Sequence, residues 1–255
     1  MLIDSHAHLE SEGVDTFQVI NNMEKDGLDK IITIGTHIED CVSGVNLANK
    51  HNNIYCTVGL HPEYADDIND DDLKIIDELA TNDKVVAIGE IGLDYHYTQN
   101  NKEKQKDLFV KQIKIAKKHN IPLCIHSRDA KEDMYNILSE YKDDIVFPSV
   151  MHCFSEDKEF ALKFIELGFY LSFAGNITFK KTDRSFLKDI PLNKILVETD
   201  SPYLSPEPLR GKLNQPCNVK LTAQKIADEL EMDYEEFKKI ILNNTYNVFK
   251  KMKRD

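Results

Sequence analysis

Two histidines near the start of the chain are the first residues whose type and spacing indicate chemistry. His6 and His8 follow a short apolar run, Leu2-Ile3, which predicts a strand. Residues two apart share one face of a strand, so both imidazoles would point the same way and could bind a metal ion. Alternating histidines also occur on ordinary strands, and this pair alone is a weak signal. Its meaning depends on what else reaches the same place.

Further residues that can bind metals come at the ends of several later apolar runs. They are His61, Glu90, His126, His152 and Asp200. Any single one has an ordinary explanation, such as a hydrogen-bonded histidine in a loop or an aspartate that caps a turn. Six or seven such residues at equivalent positions are hard to explain in that way. Together they predict a metal site.

The elements that would gather these residues alternate along the whole chain. We predict eight short strands, each followed by a helical stretch, with the near-continuous apolar runs that parallel strands use when both faces are buried. Eight such units in about 250 residues predict an α/β fold of the TIM (β/α)8 barrel type, with an extra C-terminal helix and one domain over residues 1–255. The C-terminal strand ends of a barrel meet at one mouth, where active sites lie. An open doubly wound sheet is the alternative, but it favours a GxGxxG loop after the first strand, and none is found there.

Two local expectations concern helices. Between Gly13 and Gly27, the near-helical spacing of Val14, Phe17, Ile20 (or Val19) and Met23 predicts a helix that ends at Gly27. Between the seventh and eighth strands, we expect the last helical stretch of the repeat to pass through residues 186–187.

Composition limits the possible partners. The 255 residues include 32 Lys+Arg and 44 Asp+Glu, a net charge of −12, so the protein should not coat nucleic acid non-specifically and needs cations to receive a charged substrate. The five cysteines form no CxxC pair and indicate reduced thiols. No signal peptide or membrane-spanning run is recognisable. We therefore expect a cytoplasmic protein that has no membrane association and no obligate protein partner.

The number of candidate ligands favours two divalent cations. Four histidines and two acids are too many for one ion that keeps an open position. In this scheme one ion is held by His6, His8 and Asp200, the other by His126 and His152, and Glu90 bridges them. Imidazole and carboxylate ligands suit Zn²⁺ or Mn²⁺, while Mg²⁺ prefers more oxygen. Such a pair lowers the pKa of a bound water, and Asp200 could orient the water and accept its proton, which predicts hydrolysis.

Six short motifs occur in a fixed order along the chain. They are IDSHAH at 3–8, VGLHP at 58–62, IGEIGLDY at 88–95, PLCIHSR at 122–128, MHCFS at 151–155 and VETDSPYL at 197–204. The set resembles the TatD-type metal-dependent hydrolases, a branch of the amidohydrolase-like barrels, over essentially the whole chain. The resemblance implies metal ligands at the six positions His6, His8, Glu90, His126, His152 and Asp200. It also implies a Mg²⁺-dependent deoxyribonuclease, commonly acting from 3′ to 5′. Glu10 and residues 210–216 depart from the family pattern near the rim, which leaves substrate preference open.

Two further residues are candidates for substrate binding. Arg128 could hold a phosphate oxygen, and His61 could donate a hydrogen bond to the same group, although Arg128 could instead pair with a neighbouring acid. The acidic surface favours DNA ends or single-stranded DNA over long duplex. Two other functions stay open at this point. The same site could hydrolyse an amide, lactone or aminoacyl ester, or the barrel could bind a metal or ligand without turnover.

Overall fold

Eight parallel strands form the centre of the computed structural model, which describes residues 1–254. The strands are β1 (Leu2–Ala7), β2 (Leu28–Thr33), β3 (Ile54–Val58), β4 (Val85–Asp94), β5 (Leu123–Arg128), β6 (Val150–Met151), β7 (Tyr170–Phe173) and β8 (Ile195–Val197). Each pairs with the next in sequence. Residues after β8 close the ring against β1, because the Asp200 N–H donates to the His6 carbonyl at 2.9 Å and the His8 N–H donates to the Ser201 carbonyl at 2.7 Å. The predicted TIM barrel is confirmed.

Helices surround the strands. They are α1 (Thr16–Asp26), α2 (Ile38–Lys50), α3 (Asp70–Leu79), α4 (Lys102–His119), α5 (Lys131–Glu140), α6 (Lys158–Leu167), α7 (Val219–Glu229) and α8 (Tyr234–Val248). The first six follow β1 to β6, and α7 and α8 both follow β8, so the chain carries the predicted extra C-terminal helix. Within residues 1–254, no helix has both the length and the apolar character needed to cross a membrane.

The helix predicted before Gly27 is present as α1, but Phe17 lies outside its buried face. The Phe17 side chain is 79% exposed, whereas Met23 is buried. The Thr16 hydroxyl donates to the Leu9 carbonyl at 2.5 Å and turns that face of α1 toward the barrel. Successive helical residues lie about 100° apart, so Phe17 points outward beside it. A polar anchor therefore sets the orientation of this helix.

The expected helix between β7 and β8 is also replaced. The chain there forms short 3-10 segments at Gly175–Thr178, Ser185–Asp189 and Leu192–Lys194. The Arg184 side chain donates to the carbonyls of Ile177 and Phe179 at 3.0 and 2.7 Å. These bonds satisfy carbonyl groups that a helix would have used internally. The segment is held by side-chain hydrogen bonds in place of a helical ladder.

Two apolar clusters fill the molecule. The larger one lies between the strands and the surrounding helices. The second includes Ile32, Tyr55 and Leu196 on the opposite face of the strands, inside the barrel, and it extends to Phe249 and Met252 after α8. The C-terminal segment thus packs over the N-terminal end of the strands. The loops at the opposite end of the barrel form the mouth.

Candidate metal centre

The Glu90 carboxylate lies at the centre of the mouth. Strand β4 continues past this residue to Asp94, so the 4% exposed Glu90 lies within the strand, not at its end as predicted. Each carboxylate oxygen faces a different group of histidines. Oε1 is 2.8 Å from His152 Nε2, 2.9 Å from His126 Nδ1 and 3.6 Å from His61 Nε2, while Oε2 is 3.4 Å from His6 Nε2 and 3.8 Å from His8 Nε2.

Asp200 completes the group on the Oε2 side. Its Oδ1 lies 3.3 Å from His8 Nε2 and 3.6 Å from His6 Nε2. The Asp200 backbone has φ of +56°, a conformation that costs a non-glycine residue about 1–3 kcal/mol and that clusters at functional sites. The fully buried Asp4 helps to hold it there, because its carboxylate accepts the backbone N–H and the hydroxyl of Thr199 at 2.9 and 2.5 Å.

The structure therefore brings together all the ligand candidates, in two sets. We call His6, His8 and Asp200 with Glu90 Oε2 the first set, and His126 and His152 with Glu90 Oε1 the second set. Donor atoms separated by 2.8–3.8 Å have the spacing expected of atoms that each lie about 2.0–2.2 Å from a shared cation. The buried His6 Nε2 has no hydrogen-bond partner of suitable geometry among residues 1–254. Both observations fit divalent cations.

Three of the histidines that face Glu90 have a polar partner on the other side of the ring. His126 Nε2 lies 3.0 Å from Asp94 Oδ2, His152 Nδ1 lies 3.3 Å from Glu198 Oε1, and His6 Nδ1 lies 3.5 Å from Cys124 Sγ. Metal-binding histidines usually have such a partner, because donation of one N–H leaves the lone pair of the other nitrogen for the metal. The roles of Asp94, Glu198 and Cys124 as partners of these histidines were not predicted from the sequence. Glu198 and Asp94 had a signal, since both are acids in apolar runs next to predicted ligands.

Charge in the centre is concentrated on its carboxylates. Burial acts to raise the pKa of Glu90, but the neighbouring histidines, led by His152, hold it well below its usual value. Burial also opposes ionisation of Asp200, yet the hydrogen bond from His8 and the positive field of His6 lower its pKa. Both groups are therefore anionic at neutral pH. Two buried negative charges at one mouth are an environment that cations stabilise.

His61 differs from the other histidines of the centre. Burial lowers its pKa to about 3, so the ring is neutral. The backbone N–H of Glu63 donates to His61 Nδ1 at 3.2 Å, and that nitrogen carries no proton. The proton must then reside on Nε2, the atom that faces Glu90. His61 therefore lies among the candidate ligands as a hydrogen-bond donor.

Arg128 lies at the exposed end of β5, two residues beyond His126. Its guanidinium is 5.1 Å from the centre of the Tyr97 ring, and Nη1 lies 3.4 Å from the Tyr97 hydroxyl. No carboxylate within residues 1–254 forms an ion pair with it. The alternative in which Arg128 pairs with an acid is not what the structure shows, and its charge is available to a ligand.

The remaining histidines lie outside the centre. His119 Nε2 contacts Asp77 at 2.7 Å, and His51 follows the last residue of α2, as expected for structural roles. His37 and His96 pair with the surface acids Asp40 and Asp129 at 2.9 and 2.8 Å. His37 and His96 follow β2 and β4 by only a few residues, so closeness to a strand end does not by itself separate the two groups.

Comparisons with known proteins agree with this geometry. A family model described as "TatD related DNase" matches residues 3–250. The metal-dependent hydrolase YabD of Bacillus subtilis, itself called uncharacterized, is 41% identical over 254 residues and covers 98% of this chain and 99% of its own. The crystal structure of YjjV, a TatD homologue from Escherichia coli, superposes with a TM-score of 0.91 at 28% identity and covers 98% of both chains. An uncharacterized amidohydrolase of Saccharomyces cerevisiae shares the fold alone, with a TM-score of 0.82 at 20% identity, over 97% of this chain and 99% of its own. The chain belongs to the TatD family of metal-dependent hydrolases.

Proposed function

We propose that this hydrolase is a deoxyribonuclease that cleaves phosphodiester bonds at DNA ends or in single-stranded DNA, with a 3′ to 5′ exonucleolytic preference. The observation that carries the proposal is that the two carboxylate oxygens of Glu90 face two separate ligand sets. His61 and Arg128 add N–H donors beside these sets. Two cation sites together with hydrogen-bond donors for an anion suit an anionic ester better than a neutral amide or lactone.

In this proposal the two sets hold two divalent cations, which are Mg²⁺, Mn²⁺ or Zn²⁺. His6, His8 and Asp200 would hold one cation, His126 and His152 would hold the other, and Glu90 would contribute one oxygen to each set. When bound, such a pair lowers the pKa of a water and stabilises charge on a phosphoryl group. The histidine partners Asp94, Glu198 and Cys124 would orient the rings for binding.

The chain's own groups supply orientation and proton transfer. Asp200 is anionic and half-buried beside His8, and we assign to it the acceptance of a proton from the attacking water. Glu90 orients the reacting groups through both oxygens. His61 Nε2–H and the Arg128 guanidinium would donate to non-bridging phosphate oxygens, and the planar Arg128 fork suits two of them.

The overall charge favours a strand end over a duplex. A protein with net charge −12 repels the double line of phosphates in long DNA. A single strand presents one line of phosphates and is flexible enough to enter the mouth. The charge and flexibility of the substrate therefore support DNA ends and unpaired strands.

The test is incubation of metal-free protein with single-stranded DNA labelled at either end, with Mg²⁺, Mn²⁺, Zn²⁺ or a chelator. We expect metal-dependent shortening that Asp200→Asn abolishes and that the exposed control Asp143→Asn leaves unchanged. The label that is lost first reports the polarity. No shortening with any ion, or a clear preference for lactone, amide or aminoacyl ester substrates, would reject the proposal.

A further inference from the structure

The exposed tyrosines of the described chain are all close to the metal centre in sequence. Among residues 1–254, three tyrosines expose more than a third of their surface, namely Tyr64 at 36%, Tyr97 at 75% and Tyr203 at 57%. Each follows a motif of the centre by a few residues, after His61, Asp94 and Asp200 respectively. The other seven tyrosines are buried or half-buried. Among residues 1–254, the exposed tyrosine rings are therefore confined to loops of the mouth, whereas the exposed Phe17 lies on α1.

Tyr203 lies nearest to the first set. Its ring centre is 5.8 Å from that of His8, with the planes at 72°. His8 Nε2 is in turn 3.3 Å from Asp200 Oδ1. The Tyr203 ring therefore lies beside a residue of the first set, within the reach of one nucleotide from that set.

The backbone of Tyr203 is held while its ring is exposed. Its N–H donates to the Asp200 carbonyl at 2.8 Å, and its own carbonyl accepts the buried Asn214 side-chain amide at 2.7 Å. Asn214 also donates to the Thr199 carbonyl at 2.9 Å, which fixes both sides of the Asp200 turn. An aromatic ring on a fixed backbone loses little entropy when it contacts a ligand. Hydrogen bonds of the backbone hold the turn, so the exposed Tyr203 ring is left to bind a ligand.

A flat apolar group is the ligand that such a ring fits. In a nucleotide the base lies one sugar away from the phosphate, and every unpaired base offers a face for stacking on an aromatic side chain. A phosphate at the first set would place the adjoining base at the rim, beside Tyr203. A base within a duplex is already stacked on its neighbours and paired, so it could not make this contact.

We propose that Tyr203 is a base-stacking platform that binds the unpaired base of the nucleotide next to the scissile phosphate. The inference rests on the proposed deoxyribonuclease function and adds a residue that selects unpaired nucleotides. Tyr97, whose ring lies beside Arg128, extends the same aromatic rim on the side of the second set. Because all four bases present a flat face for stacking, we expect this platform to select unpaired nucleotides without a preference for base sequence.

The experiment compares single-stranded oligonucleotides that carry one abasic tetrahydrofuran residue, placed at successive positions from the cleaved end. With the unmodified protein, we expect kcat/KM to fall about 5- to 150-fold when the abasic residue occupies the platform position, the range for loss of one base–aromatic stack. Tyr203→Ala should show a similar fall on the intact oligonucleotide and no further fall on the abasic one. Tyr203→Phe should retain the rate of the unmodified protein.

Phe17→Ala is the matched control, since Phe17 is 79% exposed and lies on the outer face of α1. It should behave as the unmodified protein on every substrate. Equal rates on intact and abasic strands, or an abasic effect of the same size in Tyr203→Ala, would overturn the stacking platform while leaving the nuclease proposal standing. Absence of any shortening by the unmodified protein would overturn both.

Discussion

Replacing Asp94 with asparagine tests the division of the centre into two sets. Asp94 Oδ1 accepts the His96 backbone N–H at 2.9 Å, and Oδ2 faces His126 Nε2 at 3.0 Å. Asparagine has only one acceptor, so its NH₂ must face one of these two donors. If it faces His96, a backbone donor is left without an acceptor. If it faces His126, the ring proton moves to Nδ1, the atom that faces Glu90.

The size of the effect follows from those contacts. Asp94 is only 7% exposed, and an unsatisfied buried donor costs about 1–3 kcal/mol. If that cost falls on cation binding, it corresponds to a loss of about 5- to 150-fold in affinity, which overlaps the roughly 10- to 100-fold usual for partners of metal-binding histidines. We expect the loss in the second set, which contains His126. The first set uses the other oxygen of Glu90 and should be little affected.

The assay is calorimetric titration of Mn²⁺ or Zn²⁺ into metal-free protein, fitted to two sites. Glu198→Gln is the matched control, because within residues 1–254 both hydrogen bonds of Glu198 are at Oε1, from His152 Nδ1 and the Cys153 N–H. The glutamine oxygen can accept both, so only charge is lost and the effect should be smaller. Unchanged binding at both sites in Asp94→Asn, or weakening at the first set alone, would refute the reasoning.

Three other predictions follow from the same geometry. Two cations, each at 100 times its Kd, should stabilise the fold by about 5.4 kcal/mol, or about 2.7 kcal/mol per site, so chelation should lower Tm by roughly 11–22 °C in a thermal melt; an unchanged Tm would contradict cation binding. Gly92→Ala should lower the free energy of unfolding, measured in urea, by more than about 1 kcal/mol. Gly92 has φ of +141°, and a Cβ there would lie 2.0 Å from the His126 carbonyl oxygen. The control Gly211→Ala should cost less, because Gly211 has φ of +87° and no atom lies within 4 Å of its added Cβ. Cys124→Ala should weaken cation binding at the first set about 10-fold, because it removes the partner of His6 Nδ1. Cys124→Ser keeps a hydrogen-bonding group there and should weaken binding less. Equal affinities in the two variants would exclude this role for the thiol.

The barrel was predictable because it leaves a repeated signal in the sequence. Strands buried on both faces need continuous apolar runs, and these recur before each candidate ligand. Element bounds shifted where hydrogen bonding overrides composition. The sixth apolar run begins at Val146, but strand β6 covers only Val150–Met151, since Pro148 has no N–H to donate to a neighbouring strand. The segment between β7 and β8 is a second example, because the hydrogen bonds of Arg184 that hold it leave no periodic pattern in the sequence.

The ligand candidates were predictable because they share a position relative to the strands. Their partners were not, since each pairing joins distant parts of the chain. Cys124 and His6 lie 118 residues apart, and Glu198 and His152 lie 46 apart. Which atoms meet depends on the register of neighbouring strands. The tautomer of His61 is a different case, because it depends on a turn at Glu63 that hydrophobic patterning does not describe.

The charges of the centre impose an order on binding. Asp94 and Glu198 lie behind the histidines that face Glu90, so with Asp200 four carboxyl groups converge on one mouth of a protein with net charge −12. Before cations bind, the anionic Glu90 and Asp200 repel a phosphodiester, and they are offset only in part by Arg128 and by histidines whose pKa the carboxylates raise, such as His152. Divalent cations add positive charge beside these carboxylates. A DNA end should therefore bind more tightly after the cations do, and its affinity should be linked to theirs.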